Sequence, residues 1–407
     1  MKKEYIKRTI SPEILNLSRN FKVLLVTGPR QVGKTTLLKQ LADEDRKVVD
    51  MSDITDRDFA SADPKGFLDT YSLPLFIDGV QYVPNLFSYI RMLVDKIELN
   101  GQIWLTGSGQ FELMEHITDS LAGRVVIIQL QGFSIYERNG IGELQEPFLP
   151  AKEIKRNLSH KNSKDTFKVI WQGSAPEVIN MDEKTRYYFY DSYIKTYLER
   201  DIRKIINIKD EITFRRFIKV IAARTAQILN FEDISKDVGI SANTAKQWLS
   251  VLTTSGLVFL LQPYFKNITK RLIKSPKLYF LDTGLAAHLA GWTTPESLET
   301  GASAGAFFET FTISEILKSY WHNGENPDIY YYRDSDGKEI DLIINKNNIW
   351  YPIEIKKHAT PNIKDISAFA TFAKIPDIIM GEGVLICLVP EPQALSSRVM
   401  AISLWDL

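Results

Sequence analysis

An apolar run, Val23-Leu24-Leu25-Val26, leads into Gly28-Pro29-Arg30-Gln31-Val32-Gly33-Lys34-Thr35, and a helical pattern through Leu37, Leu38 and Leu41 follows. Strand, glycine loop and helix in that order fix a strand end, a tight turn and a helix N-terminus at stated positions, which is the layout of a phosphate-binding loop. The glycines let backbone N–H groups close around phosphate oxygens, Lys34 places its ammonium near the β- and γ-phosphates, and the Thr35 hydroxyl reaches Mg²⁺. The expected cofactors are a nucleoside triphosphate, ATP or GTP, and Mg²⁺. The expected binding residues are Gly28, Pro29, Arg30, Gln31, Val32, Gly33, Lys34, Thr35 and Thr36.

A chain of 407 residues exceeds what one core usually spans, so two or three domains are expected. Fifty basic and fifty acidic residues cancel, which argues against an overall polyanion-binding protein and confines any nucleic-acid contact to a local patch. The single cysteine, Cys387, sits in the apolar run Val384–Val389 and excludes an intramolecular disulfide framework or a cysteine-built zinc site. No stretch reaches the roughly 18 apolar residues that span a bilayer, and a cytoplasmic location is expected.

The fold class predicted is α/β. Strand-like runs at Val23–Thr27, Lys47–Met51, Leu73–Asp78, Gln102–Thr106 and Val125–Leu130 alternate with helical segments, the pattern of a parallel sheet covered by helices. This P-loop domain is expected over residues 1–140, a helical connecting region over 141–208, a small helical module over 209–278 and a second α/β domain over 279–407. In the last, strands are predicted at Ile329–Arg333, Ile340–Ile344, Tyr351–Ile355 and Val384–Val389.

Asp78 ends an apolar strand, where a carboxylate that coordinates Mg²⁺ belongs. The next residue is Gly79, where a glutamate would polarise the attacking water; loss of such a group costs about 10²–10⁴ in rate and leaves phosphate binding largely intact. Slow hydrolysis is expected unless Gln81 or another group orients the water. Ser108, at the end of the strand Ile103–Thr106, is the candidate γ-phosphate sensor, or part of an ordinary glycine-containing turn. Arg124 is either a finger on the γ-phosphate of its own or a neighbouring subunit, which would imply a homo-oligomer, or a surface arginine.

Phe231, Ile234, Val238, Ile240, Trp248, Leu249 and Leu252 form an apolar pattern broken by Gly239 and restarted by Ser241. This is helix-turn-helix spacing, with Asn243, Thr244, Lys246 and Gln247 on the open face of the second helix. Leu257–Leu261 with Pro263-Tyr264 would form the wing of a winged helix. Lys266, Lys270, Arg271, Lys274 and Lys277 follow without an intervening acid, a cluster suited to DNA phosphates.

Glu309 lies in a helical run, Asp341 in a strand, and Glu354 and Lys356 share one face of the next strand because side chains alternate. Two acids and a lysine converging there would hold Mg²⁺ through Asp341 and Glu354 and place a cation beside a phosphate, as restriction-type nucleases do. The plain alternative is a retained fold whose acids are structural.

Taken together, the loop Gly28–Thr36, Asp78-Gly79-Val80-Gln81, Ser120–Arg124, Tyr197–Asp201, Lys274–Leu285 and the set Glu309, Asp341, Glu354, Lys356 resemble the bacterial and archaeal AAA-type ATPases that carry a C-terminal domain of unknown function related to restriction-endonuclease folds. The resemblance runs from about residue 10 to 390. It implies an ATPase domain, a winged helix and a restriction-endonuclease-like domain in that order, and Gly79 departs from its pattern, which has glutamate. Two readings follow: an ATP-dependent DNA-processing protein, or a non-hydrolysing nucleotide-dependent switch or scaffold that binds a protein partner.

Overall fold

The computed structural model describes residues 5–107, 121–196, 211–265 and 275–407. Strands β1 (Val23–Thr27), β2 (Lys47–Asp50), β3 (Leu75–Asp78), β4 (Ile103–Thr106) and β5 (Val125–Gln129) form one parallel sheet in the order β2-β3-β4-β1-β5. β1 is buried along its whole length, as a central strand covered on both faces must be. Val23 and Leu25 pack with Phe67, Phe87 and Ile90 on one side. Leu24 and Val26 pack with Ile14, Leu37 and Trp104 on the other. This three-layer sheet is a P-loop NTPase fold, and each large side chain buried in it contributes about 1.5–3 kcal/mol.

The next module runs helix Glu211–Ala223, β6 (Gln227–Ile228), helices Phe231–Val238 and Ala242–Thr254, β7 (Val258–Leu261) and β8 (Lys277–Phe280), with β8 central in a three-stranded antiparallel sheet. Gly239 ends the first helix of the turn with φ 82°, a left-handed conformation that glycine adopts without a Cβ penalty. Ser241 then caps the second, accepting a 3.0 Å bond from the Thr244 amide. Phe214 and Phe217 meet Trp248 edge-on at 5.2 and 5.3 Å, which seats the second helix on the Glu211–Ala223 helix.

Pro263 and Tyr264, expected in a wing, are drawn into the C-terminal domain instead. Pro263 bridges to Tyr331, and the Tyr264 amide donates to the Tyr331 carbonyl at 2.6 Å. The expected boundary after residue 278 also falls inside β8.

The Ala304–Trp321 helix leads to a mixed seven-stranded sheet, with β9 (Asp328–Arg333), β10 (Glu339–Lys346), β11 (Ile349–Ile355), β13 (Gly383–Cys387), β15 (Val399–Ser403) and β14 (Gln393–Ser396) as successive neighbours. The two-residue β12 (Ile379–Met380) pairs with β11. Cys387 is buried in β13. A single apolar cluster runs from Ile135 through Phe167, Trp248, Phe308 and Ile353 to Trp405, so the middle and C-terminal regions share one core. Among the described residues, no helix is long and apolar enough to cross a membrane.

Candidate functional site

Gly28 leaves β1 with φ 133°, and a Cβ there would lie 2.1 Å from the Leu130 carbonyl oxygen, so only glycine fits. Gly33, with φ 93°, turns the chain into the Lys34–Leu41 helix and leaves that helix's first amides facing the loop. Lys34 is 8% exposed, and its Nζ donates to the carbonyls of Gly28 at 3.0 Å and Pro29 at 2.7 Å. Burial lowers its ammonium to about 7, with Asp78 opposing and Arg30 adding to the shift. A buried ammonium held only by carbonyls of a glycine loop is chemically suited to a phosphate.

Asp78, at the carboxyl end of β3, accepts a 2.9 Å hydrogen bond from Thr35 Oγ1 and another from the Thr106 hydroxyl. The hydroxyl and carboxylate expected to bracket Mg²⁺ are therefore adjacent, and the donor set fits that ion. Gln31, in the same loop, has φ 63°. Thr36 points to solvent. Gly79 has φ 82°, and a Cβ there would meet the Tyr82 ring at 3.2 and 3.3 Å.

One expected nucleotide contact falls elsewhere and another is not described. Ser108 lies outside the described residues. Arg124 precedes β5, whose Val125 is level with Val23 at the start of β1, so it stands at the sheet edge opposite the glycine loop. There it pairs with Asp95 at 2.5 Å. It does not reach the phosphates of its own chain, because a five-residue strand separates the two edges.

Sequence reading missed the group behind the loop. Arg8 donates to the Val32 carbonyl at 3.0 Å, the Gln131 carbonyl at 2.7 Å and Glu137 Oε1 at 3.0 Å. The fully buried Glu137 also lies 3.3 Å from His322 Nδ1, at the end of the Ala304–Trp321 helix. Burial opposes its charge, yet Arg8 and His322 hold the carboxyl far below the usual range. From the same helix, Glu315 accepts from the Ile135 amide at 2.7 Å and Lys318 donates to the Phe133 carbonyl at 3.1 Å. The only local signal was the capping box Ser134-x-x-Glu137.

In the C-terminal domain, Leu342 pairs with Ile353, which sets Asp341 beside Glu354. The fold brings Glu309, Asp341, Glu354 and Lys356 together, and adds Lys277, Glu339 and Tyr279, which the sequence analysis left out of the set. Lys277 Nζ lies 3.2 Å from Glu309 Oε1 and 3.4 Å from Asp341 Oδ1, and pairs with Glu339 as well. Lys356 pairs with Glu354, and with Asp341 Oδ2 at 3.3 Å. Burial and Asp341 push Glu309 up to about 7 and Glu354 up to about 8. Asp341 moves the other way: burial opposes ionisation, but Lys277 and Lys356 hold it below its ordinary value.

One expectation is corrected here. Lys277 is not a surface contact for DNA phosphates: it is 4% exposed, because β8 is the central strand of its sheet and delivers the ammonium to the carboxylates. Asp341 and Glu354, expected to hold a metal, both have a lysine within ion-pair reach, and among the described residues no group of three His, Cys, Asp or Glu is arranged to hold an ion. Of the open helix face, Asn243, Lys246 and Gln247 are exposed and Thr244 is half-buried. Lys266, Lys270, Arg271 and Lys274 lie outside the described residues.

Residues 20–139 match the family model of an AAA domain, and residues 163–296 and 304–407 match two domains of unknown function, DUF8612 and DUF4143. The chain thus carries an AAA-type P-loop ATPase domain followed by a C-terminal domain of unknown function. Among curated proteins it is similar to the uncharacterized protein Rv2008c of Mycobacterium tuberculosis, 29% identical over 343 residues, covering 84% of this chain and 71% of that protein. Among solved structures, the Thermotoga maritima RuvB Holliday junction branch migration motor aligns at 16% identity and TM-score 0.31, over 62% of this chain and 89% of that one. The Drosophila ORC bound to DNA aligns at 12% identity and TM-score 0.26, over 69% and 85%.

Proposed function

We propose that ATP, bound by Lys34, Thr35 and Asp78 with Mg²⁺, controls how the helix-turn-helix module engages DNA. The observation that carries this is the closeness of the two sites: Pro29 of the phosphate loop and Gly256 and Leu257, just past the second helix of the turn, line one cavity. The C-terminal end of the helix leads to this cavity beside the nucleotide loop, and its N-terminal half carries the exposed Asn243, Lys246 and Gln247. A shift of the loop on binding phosphate therefore pushes on the element that would read DNA.

When bound, ATP supplies the γ-phosphoryl group for hydrolysis. Lys34 and the loop amides hold its phosphates, and Asp78 and Thr35 hold the Mg²⁺ that orients them. With Gly79 where a water-positioning carboxylate would stand, we read the turnover as slow. If Arg124 acts as a finger, it does so on the phosphates of a neighbouring copy and after leaving Asp95; otherwise it is the surface arginine that its ion pair describes. The mixed sheet bearing Asp341 and Glu354-x-Lys356 fits a restriction-endonuclease-like fold, and we read the protein as cytoplasmic.

The test is binding of labelled duplex at low salt, without nucleotide and with ATP or ADP, for the wild type, Lys34→Ala and the Asn243→Ala/Lys246→Ala/Gln247→Ala triple variant. A nucleotide-dependent change in affinity, lost in Lys34→Ala, with at least tenfold weaker binding by the triple variant, supports the reading. No duplex or single-strand binding in any nucleotide state overturns it. Gly79 favours a second reading, a nucleotide-dependent switch that binds a protein partner. Tight ATP binding without turnover and without DNA binding would point there.

A further inference from the structure

The C-terminal carboxylates sit where a nuclease would bind metal, but the fold has already furnished them with cations. Lys277 reaches Glu309, Glu339 and Asp341 together. Lys356 reaches Asp341 and Glu354. Asp341 has both oxygens engaged: Oδ1 by Lys277, and Oδ2 by Lys356 and by the Ile355 amide at 3.0 Å. The Tyr279 hydroxyl donates to Glu309 Oε1 at 2.6 Å, the same oxygen that Lys277 contacts. Glu354 Oε2 is buried without a hydrogen-bond partner, but a divalent cation held through Asp341 and a neighbouring carboxylate would have to displace the lysine ammonium groups that Asp341 already carries on both oxygens.

We propose that Lys277 is the resident cation of this cluster, standing in for a divalent metal, and that the C-terminal domain is therefore a metal-independent interaction or structural module rather than a metal-dependent nuclease. The ammonium is not a side chain that swings in from solvent. It comes from β8, whose Lys277 pairs with Leu261 of β7 in the sheet of the helix-turn-helix module, and it passes 5.8 Å from the Tyr331 ring on the way. A metal entering between Glu309 and Asp341 would meet a positive charge that the surrounding fold holds in place. The same ion pairs fasten the module that we read as facing DNA to the domain bearing Asp341, so Lys277 links two domains with the kind of charge a metal would otherwise provide.

The experiment is Mn²⁺ binding followed by electron paramagnetic resonance, on full-length nucleotide-free protein carrying Asp78→Ala to remove the phosphate-loop site. In that background no Mn²⁺ should bind below millimolar concentration. Adding Lys277→Met should create one site at least tenfold tighter, and adding Asp341→Asn should abolish it. Binding of one Mn²⁺ at micromolar concentration with Lys277 intact, lost on Asp341→Asn, would overturn the proposal. So would a folded Lys277→Met protein that gains no site. If Lys277→Met does not fold, the melting temperature of the Asp78→Ala protein decides: no change on adding millimolar Mn²⁺ supports the proposal, and a rise that Asp341→Asn removes overturns it. None of these readouts depends on DNA or ATP, so they stand apart from the reading of nucleotide-controlled DNA binding.

Discussion

Arg8 Nε lies 3.0 Å from Glu137 Oε1, with both side chains out of solvent, and the same guanidinium holds the carbonyl of Val32 in the phosphate loop. This pair ties the loop to the Ala304–Trp321 helix through His322. Removing one partner of a buried ion pair leaves the other charge uncompensated, at a cost of about 3–5 kcal/mol. Glu137→Ala is expected to lose that much in urea denaturation; a loss below about 1 kcal/mol would show that the pair carries little.

The same carboxyl makes an acid-stability prediction. Its folded-state value is depressed far below the unfolded value of about 4.3, so its stabilisation is present above that pH and is lost as pH falls toward the folded value. Between pH 5 and 3 the wild type should lose melting temperature faster than Glu137→Gln. Parallel acid melting curves would refute the assignment.

Burial lowers the Lys34 ammonium to about 7 in the nucleotide-free protein, against about 10.4 when unfolded. Phosphate beside it favours the ammonium, so ATP binding at pH 8 should take up nearly one proton, and binding at pH 6 almost none. Calorimetry in buffers of different ionisation enthalpy measures the uptake directly. Equal uptake at both pH values would count against Lys34 as the phosphate partner.

Gly79→Glu places a side chain at φ 82° and drives its Cβ against the Tyr82 ring. A left-handed non-glycine residue costs about 1–2 kcal/mol, so the variant should be less stable by about that amount. If the missing carboxylate limits turnover, the same variant should hydrolyse ATP at least tenfold faster with nucleotide affinity nearly unchanged. Unaltered turnover in a folded Gly79→Glu protein would mean another group already positions the water.

Glu354, raised to about 8 by burial and by Asp341, behaves in the opposite sense to Glu137. Its contribution is complete below the unfolded value of about 4.3 and is lost as pH rises through about 8. Relative to Glu354→Gln, the wild type should lose melting temperature between pH 5.5 and 8.5. A constant difference between the two would show that Glu354 is ionised throughout.

The nucleotide site was legible because it is nearly contiguous. Gly28, Gly33, Lys34 and Thr35 are neighbours whose backbone angles and side-chain directions follow from one turn and one helix start, and Asp78 is found by the rule that strands of a parallel sheet end at the same edge. The turn between Val238 and Ser241 was legible for the same reason, since a left-handed glycine and a capping serine act within a few residues. Periodicity likewise placed Asp341 and Glu354 on adjacent strands, with Lys356 one residue past the end of β11.

Periodicity did not say what would face those acids. Lys277 follows a basic run and reads as surface; only the packing of β8 against the C-terminal domain turns its ammonium onto Glu309 and Asp341. Arg8, Glu137 and His322 carry no shared pattern at all, because their contact depends on three elements distant in sequence meeting in one core. The sequence by itself determined the glycine loop, the helix start and the strand-end carboxylate that we read as the phosphate and Mg²⁺ site, since short-range backbone geometry suffices for that. Which charges are buried together, and hence whether the C-terminal acids face a metal or a lysine, was decided only by tertiary structure, because that depends on how separate sheets and helices are brought into register.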